Sequence, residues 1–370
     1  MSNTRHLIQA TILVLISSVG VYFLFSELFQ LVPSASVEGD KINNLVQGHY
    51  IAIAVLFSLI VVFMLYSAYF FRRREGDDSD GVYVHGNTPL EIAWTLLPLG
   101  IVISFAVWGS NMLLDITSPV NDDRAFVVDV DGYQWGWRFT YPNGTELRSL
   151  VVPKDVPVLV NIKSDDVIHS FWVPEFRVKQ DLLPGVTKQL RFTPTRNSEE
   201  IALAHFERTG IRDYVAQVRC AEICGTGHSI MNAPVYVMDS IEETEAEIVR
   251  IANDVPEDPI ARGEYWWSGE GFGCNACHSI DGSDGTGPTW EGIWMREQQM
   301  ESGETVISDA EYIEESIYFP NAKIVAGYAA NVMPQNYQAQ FEEREAQLAE
   351  RGREVNVLED IIAFMQSISE

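Results

Sequence analysis

The sequence is poor in cysteine and in positive charge, and it carries neither an internal repeat nor a low-complexity tract. Four cysteines in 370 residues fall into two local pairs, Cys220/Cys224 and Cys274/Cys277. A disulfide scaffold would need more of them in a much shorter chain; two local pairs point instead to two prosthetic sites. Lys and Arg total 25 against 52 Asp and Glu, for a formal net charge of -27. Phosphate binding depends on Lys/Arg clusters, so nucleic acid is excluded as a partner. A basic protein partner and plain solubility in a salty habitat account for the acidity equally well.

Charge is also missing from three long apolar stretches, at about 7–32, 50–71 and 92–114. The second and third are long enough to span a bilayer. Arg72-Arg73-Arg74 stops the second sharply, and basic loops stay on the cytoplasmic side. The loop 72–89 is therefore expected inside and everything after Leu114 outside, which makes a multi-pass protein of a prokaryotic plasma membrane. The first stretch follows Arg5 and closes on Ser34-Ala35-Ser36. Residues 1–36 thus read as a signal peptide cut near Ala35, the favoured reading, or as a first membrane helix. A hairpin then occupies 37–118.

Segments 125–131, 155–162 and 187–192 alternate apolar and polar residues, separated by turn signals such as Pro142-Asn-Gly and Leu183-Pro-Gly. They predict an antiparallel β-sandwich within 119–240. Residues 241–262 are acidic and helix-permissive and read as a linker, spanning about 25 Å if disordered. A small all-α domain is expected over 263–370, ending in an amphipathic helix at 357–368.

The densest cluster of chemistry is Cys220-Ala-Glu-Ile-Cys-Gly-Thr-Gly-His-Ser-Ile-Met231, with a further histidine in His169-Ser-Phe-Trp-Val-Pro. Thiolate, imidazole and thioether together favour copper, and a methionine ligand argues against structural zinc. Two Cys and two His could hold one zinc, or two thiolates on a short loop could bridge two copper ions. Taken separately, the cysteines fit a local disulfide and His169 a satisfied strand histidine.

The stretch from Gly48 to Met238 resembles cytochrome c oxidase subunit II, a transmembrane hairpin followed by a cupredoxin-like domain with the dinuclear CuA centre. The resemblance rests on Leu90-Glu-Ile-Ala-Trp-Thr-Leu-Leu-Pro, Tyr133-Gln-Trp-Gly-Trp, His169-Ser-Phe-Trp-Val-Pro and the Cys220–Met231 loop. It implies that Cys220 and Cys224 bridge both copper ions. His169 and Met231 would complete one ion, and His228 with the backbone carbonyl of Glu222 the other. The Glu222 carboxylate would face a magnesium ion at the subunit I interface. Trp135 matches an electron-input tryptophan, with a core aromatic as the plain alternative. Glu91 matches a carboxylate at the mouth of a proton pathway, with a helix-start carboxylate as the alternative. Three features depart from the family: Gly136 where an aromatic is usual, Arg219 where Gln is common, and a longer segment at 195–212.

Gly273-Cys274-Asn-Ala-Cys277-His278 has the Cys-x-x-Cys-His form that attaches haem; a redox dithiol or a zinc pair shares the spacing. Gly287-Pro288 and Met333-Pro334 follow before a final helix. The region from Gly263 therefore resembles a class I cytochrome c, and the fusion resembles caa-type oxidases. His278 and Met333 would be the axial ligands, and methionine raises the iron potential. These resemblances imply the electron-input subunit of a proton-pumping haem–copper oxidase, partnered by subunits I and III and by cytochrome c or another donor, with no catalytic residue of its own. The copper subunit of a nitric oxide reductase is the alternative. A soluble nitrous oxide reductase domain is disfavoured by the hairpin, and a copper-delivery protein by the haem motif.

Overall fold

The computed structural model describes residues 3–76, 80–81, 83, 85–118, 125–269, 271–283 and 285–369. The expected start of the sandwich domain, at 119, lies outside the described residues. The described residues form two compact units, the first made of those up to 118 with 175–177, the second of the others from 125 on.

The first unit consists of α1 (Asn3–Leu28), α2 (Val37–Phe70) and α3 (Thr88–Thr117). All three are long and apolar enough to cross a membrane. They leave large side chains such as Ile16, Ile60 and Leu97 more than 60% exposed, as hydrocarbon-facing helices must. α2 and α3 start before the apolar stretches because polar residues cap them. Ser36 Oγ accepts from Gly39 N, with Glu38 and Asp40 in the first turn. Arg72 closes α2 by donating to Tyr69 O at 2.8 Å while lying over the Tyr69 ring. α1 runs antiparallel to α2, tied by Tyr66 Oη to Gln9 Oε1 (3.0 Å) and Tyr22 Oη to Gln47 Oε1 (3.1 Å).

In the second unit the alternating segments form two five-stranded sheets. The strands in chain order are β1 (Phe126–Tyr133), β2 (Gly136–Thr140), β3 (Glu146–Leu147), β4 (Leu150–Pro153), β5 (Val158–Ser164), β6 (His169–Val173), β7 (Val178–Leu182) and β8 (Lys188–Phe192). After α4 (Ser198–Thr209) come β9 (Gln217–Cys220) and β10 (Asn232–Met238). One sheet has the order β3-β2-β1-β5-β8 and the other β4-β10-β9-β6-β7. The expected antiparallel pattern is broken twice: β1 pairs parallel with β5, and β4 parallel with β10. The chain crosses between sheets from β3 to β4 and from β4 to β5, so β5 meets β1 after a long connection rather than a hairpin. Val128, Val130, Val160, Ile162, Phe139, Phe171 and Leu150 are fully buried between the sheets.

The extension at 195–212 is α4. Asn197 and Glu200 form a reciprocal capping box, and Gly210 closes the helix in the left-handed conformation (φ 74). Ile201 is buried, and Ser198 Oγ accepts from Val237 N at 2.8 Å, which ties α4 to β10.

The segment expected as a linker is largely helical. α5 (Ile241–Asn253) starts at Ser240, whose Oγ accepts from Glu243 N, and buries Thr244, Ile248 and Ala252 on one face. That face packs on β3, β4 and β10, so the acidic residues are the solvated side of an amphipathic helix.

The C-terminal region contains α6 (Pro259–Trp267), β11 (Glu297–Gln299), β12 (Thr305–Ile307), α7 (Ala310–Tyr318), α8 (Tyr337–Glu350) and α9 (Val357–Ser367). The antiparallel pair β11–β12 departs from the all-α expectation; Ser302 and Gly303 (φ 88) sit at its turn. α6 crosses α9 closely because Gly263 has no side chain: a Cβ there would lie 2.1 Å from Asp360 O. Asp360, nearly buried, accepts from Arg262 Nε (2.6 Å) and Nη2 (2.7 Å) and from Trp266 Nε1 (3.0 Å). This bidentate pair satisfies both carboxylate oxygens away from water.

If α5 is a packed helix, trypsin should cut the full-length chain at Arg250 only slowly. Ile248→Ala, losing about 3 kcal/mol of packing, should speed that cleavage roughly 100-fold where local opening precedes cutting. Equal rates, followed by gel electrophoresis, would show a loose tether.

Candidate metal centre

β9 ends at Cys220 and β10 starts at Asn232, so the loop between adjacent strands carries the whole cysteine cluster. Cys220 N donates to Met231 O at 3.1 Å and closes that loop. β6 lies beside β9 in the register Phe171↔Cys220, which brings His169, at the start of β6, against the loop. The result is a buried cluster of His169, Cys220 and Cys224 whose ligand atoms all lie within 4.8 Å of one another.

Both cysteines are free, and their sulfurs stand 3.8 Å apart, far beyond the roughly 2 Å of a disulfide. His169 Nδ1 is 3.9 Å from Cys220 Sγ, and His228 Nδ1 is 3.6 Å from Cys224 Sγ. Met231 Sδ is 3.8 Å from Cys224 Sγ, and Glu222 O is 3.2 Å from Cys220 Sγ. Every residue singled out in the sequence for this centre is therefore in one place. The donor set holds two thiols, two imidazoles, a thioether and a carbonyl, softer than a zinc site requires and suited to copper. Glu222 and Ile223 project outward, with Ile223 83% exposed.

Burial disfavours charge on His169, but its hydrogen bonds to Asp166 and Cys220 outweigh this and push the imidazole up to about 9. Burial also opposes the Cys220 thiolate; hydrogen bonds from His169 and the backbone overcome it and bring that thiol down to about 6. Burial and repulsion from Cys220 push Cys224 up to about 12. The two thiols are thus pulled in opposite directions, and a bound cation would favour the thiolate form of both.

Three supporting residues had no role assigned from the sequence, although two of them lie in the Tyr133–Trp137 motif. Asp166 Oδ1 lies 2.8 Å from His169 Nε2, and its other oxygen accepts from Gln134 N at 2.7 Å. The carboxylate orients the ring so that Nδ1 faces the sulfurs. Gln134 Nε2 donates to Cys224 O at 2.7 Å, and Trp137 Nε1 donates to Met231 O at 3.3 Å. A carboxylate three residues before a candidate ligand was the available signal for Asp166; the other two depend on tertiary placement.

Trp135 is half-buried, and Trp137 is the core aromatic. Trp135 Nε1 donates to Cys224 O at 3.1 Å. Its indole lies against the loop so closely that a Cβ on Gly227 would come within 2.4 Å of Cδ2. Glu91, in the first unit, sits in the first turn of α3 with Oε1 accepting from Asn87 N at 3.1 Å, which is the helix-start arrangement.

The C-terminal region holds a second site. Cys274, Cys277, His278 and Met333 line one apolar cavity together with Pro288, Ile313 and Met365. His278 Nδ1 donates to Pro288 O at 2.7 Å, leaving Nε2 free for a ligand bond. Burial lowers the His278 pKa, which favours the neutral ring. Gly287 fits beneath that ring, where a Cβ would lie 2.5 Å from Cε1.

Asp166→Asn should lower copper affinity about 10- to 100-fold, the usual cost of losing an orienting partner, while leaving the copper-to-chain ratio at saturation unchanged. Chelator-competition titration measures both; an unchanged affinity would remove Asp166 from that role.

Residues 20–111 match the family described as Cytochrome C oxidase subunit II, transmembrane domain, and residues 145–239 match its periplasmic domain. Cytochrome c oxidase subunit 2 of Alkalihalophilus pseudofirmus is 30% identical over 250 residues, covering 64% of this chain and 68% of the relative. The corresponding Bacillus subtilis protein is 28% identical over 290 residues, covering 75% and 77%. The solved periplasmic domain of subunit II from Bradyrhizobium japonicum aligns at 21% identity and a TM-score of 0.29, covering 35% of this chain and 96% of that one. On the two family matches and the Alkalihalophilus pseudofirmus relative, the chain belongs to the cytochrome c oxidase subunit II family.

Proposed function

We propose that this chain is the electron-input subunit of a proton-pumping haem–copper cytochrome c oxidase. It passes electrons from cytochrome c, by way of its own c haem and CuA, to haem a and the oxygen-reducing site of subunit I. The observation that carries the reading is the pair of free, buried thiols held 3.8 Å apart between two imidazoles and a thioether, in a chain of this family. Cys220 and Cys224 would be shared by two copper ions, with His169 and Met231 on one, His228 and the Glu222 carbonyl on the other. Cys274 and Cys277 would attach the haem, with His278 and Met333 as axial ligands. Bound, both groups supply one-electron chemistry.

The residues of the chain do the rest. Asp166 holds His169 in orientation, and Gln134 and Trp135 fix the Cys224 carbonyl. Burial of His169, Cys224 and Met231 keeps water out, so little solvent reorganises when charge changes. Trp135, half-buried on the loop, is the candidate electron-input residue. Glu91 is assigned to the mouth of a proton pathway, and the exposed Glu222 carboxylate to magnesium at the subunit I interface. The three helices would anchor the chain in a prokaryotic plasma membrane beside subunits I and III, with the copper and haem regions on the outer face. The relatives compared above are oxidase subunits, which favours this reading over a nitric oxide reductase.

The purified chain should carry two copper ions in a purple mixed-valence centre, and Cys220→Ser should abolish it. Metal analysis and electron paramagnetic resonance test this; one copper per chain, or tight colourless zinc, would overturn the dinuclear assignment.

Met333→Ala should lower the haem potential, since the thioether ligand raises it, and leave covalent attachment intact. A redox titration of the isolated subunit reads the shift. An unchanged potential would place the sixth ligand elsewhere.

A further inference from the structure

Gly136 lies between two tryptophans, and its missing side chain has a structural consequence. The Tyr133 side chain folds over Gly136, and a Cβ there would lie 2.7 Å from Tyr133 Oη. The ring so placed has the Arg138 guanidinium 5.6 Å from its centroid and Arg148 at 5.8 Å. Arg148 also lies 5.3 Å from the centroid of Phe272, in the C-terminal region. Its Nη2 donates to Gln340 Oε1, on α8, at 3.1 Å. Among the described residues no carboxylate pairs with Arg148, in a chain where acids outnumber bases two to one. Its half-buried charge is held instead between two π faces and a neutral amide.

The two ends of this stack lie next to the two candidate redox sites. Phe272 packs on Phe341 (centroids 4.6 Å apart) and precedes Cys274 by two residues. Tyr133 precedes Gln134, whose side chain donates to Cys224 O. A second seam supports the same arrangement. α5 packs on the sandwich, and its last carbonyls accept from the loop after α8: Ala252 O from Arg351 Nη1 and Asn253 O from Arg353 Nη1, both at 3.1 Å.

We propose that Tyr133, Arg148 and Phe272 form an internal docking contact, with Arg148 the positioning residue that holds the Cys274 site against the support of the copper loop in one arrangement. The proposal rests on the haem reading of Cys274 and Cys277. Haem at Cys274 and Cys277 and copper at Cys220 and Cys224 would supply one-electron chemistry, so the electron lost by the first would be the one gained by the second, with no bond made or broken. Transfer then takes place within a preformed contact, with no encounter step between two tethered bodies.

The test uses the full chain in the purified oxidase with Arg148→Gln and Arg148→Lys, after copper content and covalent haem are measured. In the wild type, flash-initiated transfer between the two centres should be independent of glycerol viscosity. Arg148→Gln should leave the copper spectrum intact. It should raise amide exchange over 271–276 and 337–344 roughly tenfold, the weight of a cation–π contact of middling strength, and make transfer viscosity-dependent. Arg148→Lys, keeping charge without the planar face, should fall between. Viscosity-dependent transfer in the wild type, or wild-type exchange in Arg148→Gln, would overturn the contact. Absence of covalent haem would sink the reading of Cys274 and Cys277, while the exchange comparison still decides the docking.

Discussion

Everything at the copper loop depends on keeping two buried thiols 3.8 Å apart without letting them join. Left to a flexible loop in an oxidising compartment, two cysteines four residues apart would close into a disulfide. Here both ends of the loop are fixed in neighbouring strands, and its interior is pinned by Gln134 and Trp135 on the Cys224 carbonyl. Gly225 (φ 120) supplies a backbone conformation that other residues rarely adopt, and Gly227 the space for the indole. The sandwich therefore fixes where the two sulfurs stand, at a separation longer than a disulfide.

The same restraint pulls the two thiols in opposite directions. Burial and the neighbouring sulfur push Cys224 up, while hydrogen bonds from His169 and the backbone bring Cys220 down against its own burial. A soft cation bound between them would favour both thiolates. Ligands anchored at paired strands suit electron exchange, because a centre held in one shape has little to reorganise.

The acidic balance of the chain acquires a similar structural meaning. Around α5 the carboxylates face solvent, while several arginines turn to partners within the protein: Arg262 to Asp360, Arg351 and Arg353 to the carbonyls at the end of α5, Arg148 to two aromatic rings. Cations that are scarce in the sequence recur where the helical region meets α5 and the sandwich. The planar guanidinium fork can donate to carbonyls and stack on rings at once, which an ammonium cannot.

Sequence alone determined what is local. The Cys220–Met231 spacing, the Cys-x-x-Cys-His run, the apolar stretches with their arginine stop and the alternation of β1, β5 and β8 are all written in consecutive residues, where strand and helix periods and ligand spacing act directly. It left open whatever depends on register or on faces meeting at a distance. His169 reaches Cys220 across 51 positions only because β6 pairs with β9. The parallel pairs of the sandwich follow from sheet crossings that no short pattern records. Residues 241–253 read as a solvated tether because acids dominate their composition, and only the surface offered by β4 and β10 turned Thr244, Ile248 and Ala252 into a buried stripe. Arg148 and Gln340 meet across 192 positions. The cost of bringing such distant residues together is conformational entropy, and it is met by the packing of the whole unit rather than by any property of the residues themselves.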